Sequence, residues 1–390
     1  MEKSNYIKGG NKMSRMTETI VSERAREMQK QVMQKFRSKI SPSLAKIVKQ
    51  SQGVAKQFVP SPYEALEYGT EKPFEEGKNN KGIYGLERIY EDRAVLTPYF
   101  ECSAYCRYCF KKTRTLAGEA KRMSDENIAD AINYISNDDR IKTVLITGGD
   151  PFLDVTLLHK VLQQIKEIDH VRNIRVGTRN ILFAPENITD ETAEMLSEFN
   201  EINYENPRLS KNLSIGLSLN HPDELTPEVI RAAQKIISRG ITLRGQIVLM
   251  KDINDDTKTM RELIELFLCN GIVPYYLFHC MAVVGAKHFR TSVQKGIDII
   301  RELSAFSGSI APHYVYVTPI GKHRVGTNSQ LDYVEIDGQR YIRSTTPYKA
   351  ADFLHFSDNT MLPPLHEINE NGYIVSHYLD GDDNPMEALI

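Results

Sequence analysis

The chain has 390 residues, of which 41% are hydrophobic and 26% are charged, and its formal net charge is −2. This length holds one large domain with additions, and the composition is ordinary for a globular protein. The balanced charge predicts neither nucleic acid nor an acidic membrane as a partner. No apolar run approaches the ~20 residues that span a bilayer, and the polar N-terminus lacks the apolar core of a signal peptide. A cytoplasmic location, where thiols stay reduced, is therefore expected.

The first part of the chain, residues 1–57, is predicted to form a helical arm. Residues 1–14 are polar and carry two adjacent glycines, which is typical of a disordered terminus. The remainder is rich in Glu, Arg, Lys and Gln, with apolar residues such as Met28 at helical spacing, and indicates two or three amphipathic helices with a break at Ser41-Pro42. The arm shows no catalytic chemistry. Its solvated helices suit subunit contacts, so a homo-oligomer is considered.

A repeating pattern follows an irregular connector, which is predicted for residues 58–92 because prolines and glycines interrupt it. Residues 93–306 alternate short apolar strands with amphipathic helices. The strands are predicted at 94–97, 142–147, 173–178, 213–218, 241–249 and 273–278, and the helices at 124–135, 157–168, 193–199, 226–239, 258–268 and 292–305. Such strands suit a parallel sheet that is buried on both faces. The fold class is therefore α/β, a partial (β/α)6 TIM-like barrel whose functional residues gather at the carboxyl ends of its strands.

The last part, residues 307–390, is predicted to be a small C-terminal extension that could close the mouth of the barrel. It contains a short strand at 314–317, followed by a loop at 318–324. Residues 331–343 have the alternation of a β-hairpin, with an Asp-Gly turn at 337–338.

Three of the five cysteines, Cys102, Cys106 and Cys109, form the pattern C-x3-C-x2-C. Three thiolates on one short loop can hold three irons of a cubane 4Fe–4S cluster and leave the fourth iron open to a small molecule. Zinc is the alternative, but it takes four closed ligands or three and a water, and the flanking segments offer no histidine. A purely structural cysteine cluster is disfavoured by the adjacent Arg107 and Lys111.

The cysteine pattern, followed by the aromatic Phe110, resembles the signature of the radical S-adenosylmethionine (SAM) superfamily. The surrounding sequence is similar to one branch of that superfamily, the lysine 2,3-aminomutase family. The similar segments keep the family's order over roughly residues 80–345 and are Asp92–Leu96, Thr147–Phe152, Val176–Arg179, Leu219–Pro222, Gly245–Leu249, Pro274–Phe278 and His288–Thr291. The resemblance implies the same partial barrel.

The resemblance implies that the open iron binds the methionine end of SAM. One electron from a donor such as flavodoxin or ferredoxin then releases a 5′-deoxyadenosyl radical. A Gly-Gly-Asp segment directly after a strand gives a backbone that a ligand can approach closely, with a carboxylate that suits an ammonium, although an ordinary turn is the alternative. The resemblance assigns Gly148, Gly149 and Asp150 to the SAM amine, and Thr178, Arg179 and Gln246 are candidates for its carboxylate or ribose.

Lys322 is the candidate catalytic residue for a second cofactor, pyridoxal phosphate (PLP). Lysine aminomutases attach PLP to a lysine that follows a glycine-rich loop, and the shorter segment Pro319–Lys322 keeps the proline and the Gly-Lys pair. The resemblance therefore implies a Schiff-base lysine, with a surface lysine as the alternative. Arg93 matches a family position near the PLP phosphate, which suits the fork geometry of a guanidinium, although a surface ion pair would explain it equally.

The positions that recognise the substrate depart from the family. Lys111 stands where the family has an arginine for the substrate carboxylate, and it offers a point charge without the fork. Met281 and Val317 stand at or near positions where lysine-specific enzymes place aspartates against the distal ammonium. A buried ammonium without counter-charge is costly, so L-lysine is not expected as substrate. Lys111 and His279 would favour an acidic or polar side chain such as that of glutamate, unless His279 is a core histidine.

The expected function is that of a radical SAM isomerase that moves the amine of an amino acid other than L-lysine from C2 to C3 with PLP. The altered loop at Lys322 and the missing aspartates also fit an alternative, a PLP-independent radical SAM enzyme on the same scaffold that performs epimerisation or modifies a peptide or natural product. A non-enzymatic iron–sulfur sensor or electron carrier is a further alternative, and the polar strand ends argue against it.

Overall fold

A nine-stranded sheet forms the centre of the computed structural model, which describes residues 11–74, 81–116, 122–306 and 311–384. The strands lie side by side in chain order; β2 to β8 are parallel, and β1 and β9 are antiparallel edges. They are β1 (Leu86–Tyr90), β2 (Arg93–Tyr99), β3 (Thr143–Gly148), β4 (Asn173–Thr178), β5 (Asn212–Ser218), β6 (Thr242–Leu249), β7 (Ile272–His279), β8 (His313–Thr318) and β9 (Gly321–Arg324).

Helices surround this sheet and form the N-terminal arm. Those described are α1 (Asn11–Lys35), α2 (Pro42–Gln50), α3 (Gln52–Phe58), α4 (Lys112–Thr115), α5 (Asp125–Ser136), α6 (Val155–Lys166), α7 (Asn180–Phe183), α8 (Asp190–Ser197), α9 (Pro227–Ile237), α10 (Thr257–Cys269), α11 (Val293–Leu303) and α12 (Ala350–Ser357). Side-chain caps fix several starts: Ser124 accepts from the Asn127 N–H, and Thr226 caps α9 before a proline at its first position. None of the described helices is long and apolar enough to cross a membrane.

The predicted partial barrel is confirmed, and its inner face is visible in β6. Gly245 faces α10, where a β-carbon would overlap the Phe267 ring, and the alternate residues Leu243 and Ile247 are fully buried on the same side. Arg244 and Gln246 therefore point to the opposite face, the barrel lumen, and are partly exposed. Polar side chains on this face are candidates for binding a ligand.

Four sequence expectations need correction. The strand near 314–317 is β8, which extends the barrel to seven parallel strands instead of belonging to a separate extension. Lys322 lies on β9 and not in a loop, and its backbone N–H donates to the Tyr90 hydroxyl (2.8 Å) across the open edge between β9 and β1. The connector contains β1. Residues 11–14 are helical, and the rest of the predicted disordered terminus lies outside the described residues.

A second, antiparallel sheet follows, with the strand order β10 (Asp332–Ile336), β11 (Gln339–Lys349), β13 (Tyr373–Leu379), β12 (His366–Ile368). The predicted hairpin at 331–343 is confirmed, because Asp337 and Gly338 both have positive φ (51° and 73°) between β10 and β11. Arg290 holds this sheet against the end of β7: it donates to the carbonyls of Cys280 (2.8 Å) and Leu379 (2.7 Å).

Candidate active site

The cysteine loop begins at the carboxyl end of β2 and is seated against the end of β3. The Gly149 N–H donates to the Tyr99 carbonyl (2.7 Å), and the Asp150 N–H donates to the Glu101 carbonyl (2.8 Å). A β-carbon at Gly149 would overlap the backbone of Glu101. The two glycines therefore admit the cysteine loop itself, a structural reason beyond the ligand approach and the ordinary turn that the sequence suggested.

A buried ionic triad holds the middle of the loop. Arg107 pairs with Glu64 (2.8 Å), Lys112 pairs with the same carboxylate, and all three side chains are at most 1% exposed. Burial alone would raise the pKa of Glu64, but the charges of Lys112 and Arg107 outweigh it and lower the pKa. Burial lowers the pKa of Lys112 to about 8. The triad fixes the loop to the segment after α3.

The end of the N-terminal arm forms the outer wall of the loop. Phe36 is 1% exposed and belongs to an apolar cluster against which Cys102 and Cys109 pack. The Lys39 ammonium donates to the Cys102 carbonyl (2.8 Å), and the Tyr105 N–H donates to the Lys39 carbonyl (2.9 Å). The arm, in which no chemistry was recognised, thus shields the candidate cluster site. Helical spacing in the sequence indicates an apolar face but not what it covers.

The three cysteines offer a donor set that fits a 4Fe–4S cluster with one open iron. Cys102, Cys106 and Cys109 are free and partly buried on one loop. Cys269 is exposed at the end of α10, and Cys280 is buried in a neighbouring core, so neither joins them. Burial raises the pKa of the Cys109 thiol to about 11, against the opposing effect of the Lys111 backbone N–H. Iron, by binding the thiolates, would favour their deprotonated form.

Hydrogen bonds link Asp150 at the end of β3 to Thr178 and Arg179 at the end of β4. The Asp150 carboxylate accepts from the Thr178 hydroxyl (2.7 Å), the Arg179 N–H (2.7 Å) and the Phe152 N–H (3.1 Å). Burial raises its pKa to about 6 in spite of these bonds. Asp150 is therefore 2% exposed and held by donors of the protein, and its assignment to the SAM amine stays a prediction.

Arg179, a candidate for the SAM carboxylate or ribose, bonds to protein groups in this structure. Its side chain is 6% exposed and turns to Cys106 Sγ (3.0 Å), Gln57 Oε1 (2.7 Å) and Glu224 Oε1 (2.7 Å). A hydrogen bond to the Tyr108 hydroxyl completes the set. The guanidinium therefore contacts a cysteine of the candidate cluster site.

Gln246 remains available to a ligand. It lies on the lumen face of β6, next to Gly216, where a β-carbon would overlap its side-chain amide. Its side chain makes no hydrogen bond to another described residue. Gly216 thus leaves space in which the amide can turn toward a bound molecule.

Lys322 projects into the lumen among aromatic and cationic side chains. Its ammonium lies 5.1 Å from the centre of the Tyr276 ring and 5.8 Å from that of Phe278. Burial, together with the charges of Arg175 and Arg93, lowers the pKa of Lys322 to about 7. A substantial share of this amine is therefore neutral, and able to act as a nucleophile, near neutral pH.

Two lumen arginines, Arg175 and Arg244, were not recognised from the sequence. Both stack on Tyr275, at 5.4 and 5.0 Å from its ring centre. Among the described residues neither has a carboxylate partner, and Arg175 Nε is buried without a hydrogen bond. Arg93, in contrast, pairs with Asp92 (3.0 Å) at the start of β2. A signal existed, because each of the two is a charge between apolar residues of a buried strand.

The three predicted substrate residues lie in different surroundings. Met281, like Val248 and Cys106, packs against the apolar cluster around Tyr108. Lys111 is 6% exposed, two residues after Cys109, and its ammonium lies 5.5 Å from the Phe110 ring centre. His279 is 1% exposed and bonds to the Tyr314 hydroxyl (2.8 Å) in the outer core. Burial lowers its pKa well below the usual value, so it is a neutral core histidine in this fold.

Comparisons with known proteins show the family to which the chain belongs. Residues 96–264 match the family model described as the radical SAM superfamily. A protein of Aquifex aeolicus with the provisional name L-lysine 2,3-aminomutase is 30% identical over 372 residues, 93% of this chain and 94% of the relative. An L-lysine 2,3-aminomutase of Methanococcus maripaludis is 34% identical (72% of this chain, 61% of the relative), and a glutamate 2,3-aminomutase of Clostridioides difficile is 36% identical (60% and 54%). The chain spans only about half to two thirds of these last two relatives. It belongs to the lysine 2,3-aminomutase family of radical SAM enzymes.

Proposed function

We propose that this enzyme is an amino acid 2,3-aminomutase that carries PLP on Lys322 and acts on an amino acid other than L-lysine. Membership of the radical SAM family implies a 4Fe–4S cluster and SAM. The names of the relatives, lysine and glutamate 2,3-aminomutases, favour an amino acid as substrate.

The observation that carries the proposal is the setting of Lys322. A lysine in the barrel lumen with a pKa of about 7 suits attachment to an aldehyde, because only the neutral amine attacks. Arg175 and Arg244 supply positive charge that no described carboxylate neutralises, and guanidinium groups bind phosphate by paired hydrogen bonds. Together they fit the two ends of PLP, its aldehyde and its phosphate.

The remaining residues divide the other tasks. When bound, the cluster and SAM supply a 5′-deoxyadenosyl radical, and PLP supplies a conjugated ring that delocalises the substrate radical. Cys102, Cys106 and Cys109 would hold the cluster, and Gln246 would orient SAM from the lumen. The wall formed by Phe36 excludes water from the cysteine loop, which protects reactive species.

The apolar surroundings of Met281 disfavour L-lysine as substrate. Met281 and Val248 pack against the same apolar cluster as Cys106, and their side chains cannot pair with an ammonium. A buried ammonium in contact with them would be left without a partner, at a cost of several kcal/mol. Amino acids with an uncharged or acidic side chain avoid that cost.

The proposal is tested by incubating cluster-reconstituted protein with PLP, reducing it with borohydride and mapping the adduct by mass spectrometry. We expect a pyridoxyl group on Lys322, none in Lys322→Met, and a parent-like adduct in the control Lys295→Met. A panel that includes L-glutamate, L-alanine and L-lysine then identifies the substrate by its β-amino acid product. Cleavage of SAM without any adduct on Lys322 would replace the proposal with the PLP-independent alternative.

A further inference from the structure

A network of buried polar side chains connects the N-terminal arm to the cysteine loop. Its centre is Gln57 at the end of α3, which is 0% exposed. The Gln57 carbonyl accepts from the Arg107 N–H within the cysteine loop (2.8 Å). Its side-chain Oε1 accepts from Arg179 (2.7 Å) and from Asn220 (3.0 Å), while Nε2 donates to Glu224 (2.8 Å).

This network fixes the position of the Arg179 guanidinium. One terminal nitrogen, Nη2, donates to Gln57 and Glu224, and the other, Nη1, donates to Cys106 Sγ (3.0 Å) and to the Tyr108 hydroxyl. The Phe58 ring centre lies 4.9 Å from the guanidinium carbon, so an apolar surface closes the other side. Because each terminal nitrogen has protein acceptors, the side chain cannot turn away from Cys106 without losing several bonds at once.

We infer that Arg179 is a positioning residue for the cluster: held by Gln57 and Glu224, it donates a hydrogen bond to the Cys106 thiolate and makes the cluster easier to reduce. Hydrogen bonds to cluster sulfurs and the local charge are what the protein uses to set the reduction potential. Reduction adds a negative charge, so a donor at the sulfur stabilises the reduced state more than the oxidised state.

Glu224 does not cancel this effect. It is 0% exposed and binds Nη2, on the far side of the guanidinium from the sulfur, where it also accepts from the Asn220 N–H (2.7 Å). The sulfur therefore faces the N–H dipole of Nη1 directly. The Glu224 carboxylate instead accepts hydrogen bonds from Arg179, Gln57 and Asn220. Gln57 sets the direction of the donor without contributing a charge of its own.

The inference rests on the cluster and not on PLP or on the substrate. A redox titration of the reconstituted protein without SAM or PLP, followed by electron paramagnetic resonance, measures it directly. We expect Arg179→Lys and Gln57→Met to lower the ratio of reduced to oxidised cluster at a fixed potential by about tenfold, which is ~59 mV for a one-electron couple. Gln52→Met, an exposed residue of the same helix, should match the parent.

A measurement on the parent protein keeps the inference testable if these variants lose the cluster. Protein grown with guanidino-15N-arginine should show a 15N hyperfine coupling to the reduced cluster in pulsed electron paramagnetic resonance. Backbone N–H groups are unlabelled in that sample, so the signal reports arginine alone. Absence of the coupling, or variants with full iron content and an unchanged potential, would overturn the inference. An adduct on Lys322 is unaffected by either result.

Discussion

At Lys322 two effects act in the same direction on one amine. Burial disfavours the ammonium, and the charges of Arg175 and Arg93 repel it, so the pKa falls to about 7. A lysine with an ordinary pKa near 10.4 is almost wholly protonated at neutral pH. The lumen therefore determines whether Lys322 can react with an aldehyde under physiological conditions.

The rate at which borohydride traps PLP on Lys322 should follow this titration. We expect it to rise with pH through about 7 and to level off above that pH, because deprotonation produces the reactive form. Arg175→Gln removes one repelling charge, raises the pKa of Lys322 and moves the profile to higher pH. Arg172→Gln removes a surface arginine at the start of the same strand and should leave the profile unchanged. Coincident profiles for parent and Arg175→Gln would refute this reading.

Glu64 forms ion pairs with two buried cations, and its replacement should destabilise the protein. Glu64→Gln leaves Arg107 and Lys112 buried without their counter-charge, and breaking a buried pair in this way costs about 3–5 kcal/mol. Urea unfolding of the apoprotein measures the change, with the exposed Glu67→Gln as control. Adding Lys112→Met to Glu64→Gln should recover part of the loss. A midpoint equal to that of the control would show that the triad contributes little.

At the scale of elements, strands with apolar sequences were predictable, and strands with charged residues in their sequence were not. The strand 173–178 was predicted with its observed bounds, because a buried apolar run lies between polar turns. β1 was missed, because its buried Arg88 is neutralised by Asp138 (2.6 Å), a residue that lies far along the chain. β9 consists of Gly-Lys-His-Arg, which has no strand signature and is held by pairing with β8.

The same limit applies to the site. The cysteines and the polar strand ends were recognisable because they are local patterns. Gln57, Glu64 and Phe36 matter through contacts with residues far along the chain, such as that between Glu64 and Arg107 of the cysteine loop. Nothing in their local sequence distinguishes them from other polar or apolar residues of the arm and the connector.

Phe36, directly after α1, covers the cysteine loop, so its loss should make the cluster sensitive to air. Phe36→Ala removes a ring that is 1% exposed, opens the apolar cluster beside Cys102 and Cys109, and costs about 3–5 kcal/mol. The visible absorbance of the reconstituted cluster should then decay several-fold faster in air-saturated buffer. Met33→Ala, which truncates a side chain of α1 that is 48% exposed, is the matched control.

Phe36→Leu separates shielding from a general loss of stability. It keeps an apolar side chain in the wall and should decay at a rate close to that of the parent, although its volume is smaller. If Phe36→Ala decays no faster than Met33→Ala while its secondary structure is intact, the arm does not shield the cluster. Equal decay of all three variants and the parent would lead to the same conclusion.

At the scale of the molecule, hydrogen bonds between buried charged side chains and backbone groups join the barrel to the C-terminal sheet. Arg290 is 1% exposed and donates to the carbonyls of Leu379 and Asp380, and the Asp380 carboxylate accepts from the Val293 N–H (2.9 Å) at the start of α11. These bonds join residues of the barrel to residues of the C-terminal sheet within one buried interface. We therefore expect the barrel and the sheet to unfold together in a single transition.

At Gly381 the interface between the barrel and the sheet leaves no room for a larger side chain. A β-carbon there would overlap the Thr291 carbonyl, whose backbone can move only together with Arg290 and its bonds to the sheet. Gly381→Ala should therefore destabilise the apoprotein by about 1–3 kcal/mol, the usual cost of overpacking, and separate the one transition into two. Urea unfolding followed by both circular dichroism and tyrosine fluorescence detects the separation, since the two signals weight the barrel and the sheet differently. Gly326→Ala, whose β-carbon meets no backbone atom, should unfold like the parent. Because the shared bonds join α11 to β13, a variant that unfolds at a lower midpoint but still in one step would mean that the sheet and the barrel remain coupled through contacts other than this one.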